Sequence, residues 1–118
     1  MEFIWYPKCS TCRKAKKHLD SLGIAYRERL IKEDNPSEAE LRLWKEKSGL
    51  PLKKLFNTSG TLYRELGLKD RLQTMSEDEQ FALLGNEGML VKRPVLVSGD
   101  TVIFGYDSEI YDTLKNGE

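Results

Sequence analysis

The stretch YPKCSTCRKAKKH, residues 6–18, holds both cysteines of the chain, Cys9 and Cys12, together with its only histidine, His18, and a run of basic side chains. Three chemistries compete for it: a metal site, thiol–disulfide exchange, or none at all. A structural metal wants four ligands; a C-x-x-C pair supplies two, and no second pair of cysteines follows. His18 lies nearly two helical turns beyond Cys12, too far to complete a tetrahedral site with a cysteine at the helix start. No metal is expected, and His18 reads as a surface or boundary residue.

Thiol chemistry fits the local geometry better. A cysteine placed where a strand turns into a helix faces unpaired backbone N–H groups and the positive end of the helix dipole, and both favour thiolate over thiol. Cys9 occupies that place and is the expected nucleophile, with Lys8 and Arg13 expected to lower its pKa further. Cys12, one turn on, is the expected resolving thiol for a mixed disulfide or sulfenic acid formed on Cys9. Ser10, Thr11, Lys8 and Arg13 surround the pair in sequence and are candidate substrate contacts. The bland alternatives are two inert cysteines on a helix, RKAKK as a solvated face, and Trp5 and Trp44 as packing residues; Tyr6, beside the loop, is a substrate contact or a structural residue.

Arg93-Pro94 is the second candidate. A proline at the opening of a strand marks an edge or a special turn, and a cis bond there would present backbone groups and Arg93 to whatever Cys9 holds, which makes Pro94 a further candidate substrate contact. Arg93 would then stabilise an oxyanion or a thiolate; otherwise it is a surface arginine.

These residues need a frame. EFIWY, residues 2–6, reads as a buried strand stopped by Pro7. From Ser10 onward Ala15, Leu19 and Leu22 recur at helical spacing until Gly23, which predicts an amphipathic helix. IAYRERLI, residues 24–31, reads as a second strand, so the opening is a βαβ unit with parallel strands. The middle carries capping boxes at Ser37/Glu40 and Ser76/Glu79, predicting a helix over residues 38–48 and another closing on Gly85 or Gly88. A short helix over about residues 61–66 lies between them, after a loop at 57–60. RPVLV, residues 93–97, and TVIFGY, residues 101–106, flank a hairpin turn. Asp107 or Ser108 then caps a last helix bearing Ile110, Tyr111 and Leu114. The layout is α/β with a mixed sheet: βαβ, a helical insert over about residues 36–90, then ββα. All of it is expected to form one domain.

Composition narrows the function. At 118 residues one core suffices, and 19 basic against 19 acidic residues leave no net field to hold a polyanion, so direct nucleic-acid binding is not expected. No apolar run approaches the length of a membrane span, no leader pattern opens the chain, and two close cysteines make a poor secreted framework. A monomer in a reducing cytosol is the expectation.

YPKCSTCRKA, the middle YRELGL and the terminal RPVLVSGDTVIFGYDSEI, in that order, resemble the ArsC/Spx family, the glutaredoxin-type arsenate reductases and their Spx-like relatives. The resemblance implies a thioredoxin-like fold with an inserted helical lobe, a cis bond before Pro94 and a nucleophilic Cys9. It implies no bound cofactor, with glutathione, glutaredoxin or thioredoxin as electron donor. Reductases of this type use three arginines, of which only Arg93 matches; Asn57 and a position near Gly105 stand where the others would be. Each lost charge-assisted hydrogen bond removes about 1.5–3 kcal/mol, so efficient arsenate reduction is not expected. The C-x-x-C itself is closer to Spx proteins, which bind the C-terminal domain of the RNA polymerase alpha subunit under redox control. The resemblance therefore offers two readings: a thiol-disulfide oxidoreductase, or a redox-switched regulator.

Overall fold

The structure is a computed structural model and describes residues 1–114. The chain divides into two compact units, one built from Met1–Leu30 with the segment from Arg93 onward, the other from Ile31–Lys92.

The first unit is a four-stranded mixed sheet in the order β2-β1-β3-β4. Strand β1 (Glu2–Trp5) runs parallel to β2 (Arg27–Leu30) and antiparallel to β3 (Val95–Ser98), which pairs antiparallel with β4 (Thr101–Phe104). Adjacent side chains point to opposite faces of a strand. Phe3, paired with Leu96, therefore faces one way, while Ile4, paired with Val95, faces the other. Phe3 and Leu96 meet Ala15 and Leu19 of α1 (Ser10–Ser21), Ile24, and Tyr111 of α6 (Ser108–Asp112) in one buried cluster. Burying each of the large side chains contributes about 1.5–3 kcal/mol, and the cluster fixes α1 on the sheet. The buried stripe of α1 is Cys12, Ala15 and Leu19; Leu22, predicted to continue it, is 38 % exposed beyond the last turn. The β2 ladder is shorter than the predicted residues 24–31. It is an edge strand with mostly exposed side chains, and the buried Ile24 and Ile31 lie outside it. The β3 ladder likewise starts at Val95, after Arg93 and Pro94.

The second unit is helical: α2 (Glu38–Ser48), a 3-10 turn at Leu52–Leu55, α3 (Thr61–Glu65), α4 (Leu68–Arg71), α5 (Glu77–Asn86) and a 3-10 turn at Gly88–Leu90. Both predicted capping boxes form. Ser37 Oγ accepts from the Glu40 N–H at 3.1 Å while Glu40 accepts from the Ser37 N–H at 3.0 Å, and Ser76 with Glu79 repeats the pattern. Helix α5 ends at Asn86 rather than on either predicted glycine. Its end is held by Asn35, whose amide donates to the Gly85 carbonyl at 2.9 Å and the Leu84 carbonyl at 3.3 Å. Gly88 is required for packing instead: a Cβ there would lie 2.6 Å from Asn35 Oδ1 and 2.7 Å from the Ile31 carbonyl oxygen. Bonds from Asn57 N–H to Leu90 O and from Lys92 N–H to Leu55 O flank an antiparallel bridge between Phe56 and Val91 that closes the unit. Among the described residues no helix is long and apolar enough to cross a membrane.

Candidate active site

The first unit carries Cys9, Cys12 and Arg93. Strand β1 ends at Trp5, and the chain turns over Tyr6 to Cys9, closed by a bond from the Cys9 N–H to the Tyr6 carbonyl at 3.0 Å. Cys9 is the N-cap of α1, with extended backbone (φ −89°, ψ 119°), and its Sγ accepts from the Cys12 N–H at 3.4 Å. A cap sulfur thus takes the place usually held by a serine or aspartate oxygen and receives the helix's orphan donors. Partial burial works against ionisation of Cys9. It is outweighed by the thiol and N–H of Cys12, the charge of Arg93 and the N–H of Thr11, which hold the pKa below the ordinary cysteine value. Cys12 is fully buried, and burial first, then its hydrogen bond to Cys9 and the Cys9 charge, push its pKa up to about 12. Both cysteines are free thiols. The two groups therefore differ as a nucleophile and a proton-holding partner do.

Arg93 reaches this pair from before β3. The Arg93-Pro94 bond is cis, and the Arg93 guanidinium lies over the Tyr6 ring, 5.4 Å from its centroid. The Pro94 carbonyl accepts from the Gly105 N–H at 2.8 Å, tying the turn to the end of β4. The charge of Arg93 favours the Cys9 thiolate. Lys8 is exposed, and Arg13 is turned back to donate to the Pro7 carbonyl at 2.9 Å. Ser10 and Thr11 lie exposed in the first turn of α1, where Thr11 lends its backbone N–H to Cys9.

The structure thus brings Cys9, Cys12, Arg93, Pro94 and Thr11 together and leaves the side chains of Lys8, Ser10 and Arg13 at the surface around them. Tyr6, which the sequence alone offers as a substrate contact or a structural residue, touches all three candidate residues: its carbonyl meets Cys9, its backbone N–H bonds Cys12, and its ring carries Arg93. Its position beside the cysteine loop is the one signal of this in the sequence. His18 stands apart from this chemistry, between the Tyr106 hydroxyl and the Asp112 carboxylate at 2.7 Å each, and pins α1 to the C-terminal segment. No group of three potential metal ligands occurs among the described residues.

The sequence pattern of the ArsC family matches residues 4–114. The chain belongs to the ArsC family. It is 53 % identical to the uncharacterized protein YusI of Bacillus subtilis over 95 % of each chain. The solved structure of an ArsC family related protein from Bacteroides fragilis is 52 % identical and superposes with a TM-score of 0.93, covering 97 % of this chain and 96 % of that one. The arsenate reductase of Haemophilus influenzae is 29 % identical over 87 % of this chain and 88 % of its own. Further relatives include the regulatory protein MgsR of Bacillus subtilis and the global transcriptional regulator Spx 1 of Bacillus cereus. The fold is accordingly the thioredoxin-like α/β fold of ArsC-family structures.

The resemblance puts the further arginines at Asn57 and at a position near Gly105. Asn57 sits in the second unit, where its backbone N–H bonds Leu90. Gly105 is buried with φ +82°, a backbone region that favours glycine over any long side chain.

Proposed function

We propose that this protein is a thiol-disulfide oxidoreductase of the cytosol in which Cys9 attacks and Cys12 resolves. The observation that carries the reading is the asymmetry of the pair: Cys9 caps α1 with its thiolate favoured, while Cys12 is buried beside it and keeps its proton. The Cys9 thiolate attacks one sulfur of a disulfide R–S–S–R, forming Cys9–S–S–R and releasing RS⁻. That step removes the Cys9 charge and its hydrogen bond with the Cys12 thiol, two of the causes that hold the Cys12 proton, so Cys12 ionises more readily once it is needed. Cys12 gives up its proton and attacks Cys9 Sγ; the Cys9–Cys12 disulfide forms and a second RS⁻ departs, taking up a proton in solution. Two electrons and two protons from glutathione, glutaredoxin or thioredoxin restore the dithiol. Arg93, with Pro94 shaping its turn, stabilises the Cys9 thiolate and the anion that leaves; Lys8, Ser10, Thr11 and Arg13 would meet the substrate at the rim. With one arginine in place of three, arsenate is a poor substrate.

A second reading has its own support in the relatives named as regulators, MgsR and Spx 1. On that reading the Cys9–Cys12 bridge is a switch, and the partner is the RNA polymerase alpha subunit. Cys12→Ser separates the two. Mixed with glutathione disulfide and read by intact mass, an oxidoreductase variant stalls as a persistent Cys9–glutathione adduct with turnover lost, whereas a switch locks in its reduced, partner-binding state. Thiols that stay free in the wild-type protein at every cytosolic glutathione potential would defeat both.

A further inference from the structure

Tyr6 makes three separate contacts with the reactive groups, and only one of them belongs to its side chain. Its backbone carbonyl accepts from the Cys9 N–H at 3.0 Å, its backbone N–H bonds Cys12, and its ring face carries the Arg93 guanidinium at 5.4 Å. The backbone contacts would survive any substitution that keeps the turn. The ring contact would not, and it is the one that orients a long, flexible side chain. A guanidinium over an aromatic face is held by the ring quadrupole as well as by stacking.

We propose that Tyr6 is a positioning residue: its ring holds the Arg93 guanidinium beside Cys9, so the charge Arg93 lends to the cysteine depends on an aromatic side chain at position 6. The inference rests on the reading of Cys9 as the nucleophile and adds to it the element that aims its counter-charge. It also gives the hydroxyl no part, because the ring face alone makes the contact.

The test is the pH profile of Cys9 alkylation by iodoacetamide, measured in a Cys12→Ser background so that one thiol reports. Tyr6→Phe keeps the ring face and is expected to match the parent. Tyr6→Leu keeps an apolar side chain but no ring. It is expected to alkylate about two- to fivefold more slowly at pH values below the parent midpoint, with an unchanged plateau at high pH. In an Arg93→Gln background, Tyr6→Leu is expected to add nothing, since the charge it would misplace is gone. A Tyr6→Leu profile that overlays the parent, or a slowing that persists at full size without Arg93, overturns the inference. A parent midpoint at the value of a free cysteine overturns the nucleophile assignment itself, and this inference with it. Should Tyr6→Leu fail to fold, the Arg93 side-chain protons of the unmodified protein decide: ring-current upfield shifts support the placement, and random-coil shifts refute it.

Discussion

Arg93 and Cys9 are remote in sequence, yet after the hydrogen bonds from Cys12 it is the charge of Arg93 that helps lower the Cys9 pKa. The reason is reach and geometry. Arg13, on the first turn of α1, is spent on the Pro7 carbonyl, and Lys8 points to solvent. Arg93→Gln removes the charge and keeps a side chain of similar length. The Cys9 thiolate then loses a favourable interaction that the thiol never had, so its pKa rises and the midpoint of its alkylation profile moves to higher pH. A guanidinium-free side chain that left the midpoint in place would assign the lowering to the helix cap alone. The placement of Cys9 at the start of α1 is legible in the sequence, because Pro7 stops the strand just before it and the helical spacing begins just after. The Arg93 charge is less so: proximity along the chain points to Lys8 and Arg13, and only the proline after Arg93 hints at it.

At the scale of elements, legibility follows the strength of the local signal. The two S-x-x-E boxes place the starts of α2 and α5 at the correct residue, because the capping bonds are formed by the same residues that define the pattern. The five-residue helix α3, the four-residue helix α4 and the two 3-10 turns are too short to show a period, and only α3 leaves a trace in the sequence. Strand β2 reads too long from the sequence because the buried isoleucines at 24 and 31 look like ladder residues. The glycines near the end of α5 look like helix stops, whereas Gly88 serves a close approach of chain to chain. Replacing it tests that distinction. In Gly88→Ala the new methyl group meets the Ile31 carbonyl as well as the Asn35 side chain, and a backbone atom cannot step aside cheaply. A loss of about 1–3 kcal/mol is expected, read as a lower urea midpoint with unchanged slope; an unchanged midpoint would show that the Ile31 segment relaxes freely.

For the molecule as a whole, the two thiols pull the pH dependence of folding in opposite directions. Cys9 has its pKa lowered on folding, so at pH values between its folded and unfolded pKa the unfolded chain binds more protons, and stability rises with pH. Its contribution is complete above the unfolded value and is lost as pH falls through the folded one. Cys12 has its pKa raised from about 9 to about 12 by burial, so above about pH 9 the folded chain binds more protons and stability falls until about pH 12. A tenfold difference in proton affinity between the folded and unfolded chain is worth about 1.4 kcal/mol, which makes the alkaline loss a few kcal/mol in size. The difference in unfolding free energy between the reduced wild-type chain and a Cys9→Ala/Cys12→Ala variant isolates the pair from the other titrating groups except Tyr111, whose pKa is raised by burial and then by the Cys12 charge. That difference is expected to climb toward pH 9 and then decline, a maximum set by the point at which an unfolded cysteine loses its proton. A difference that stays flat from pH 6 to pH 11 would mean that the two thiols titrate in the folded protein as they do in the open chain. The asymmetry on which the proposed exchange chemistry depends would then be absent.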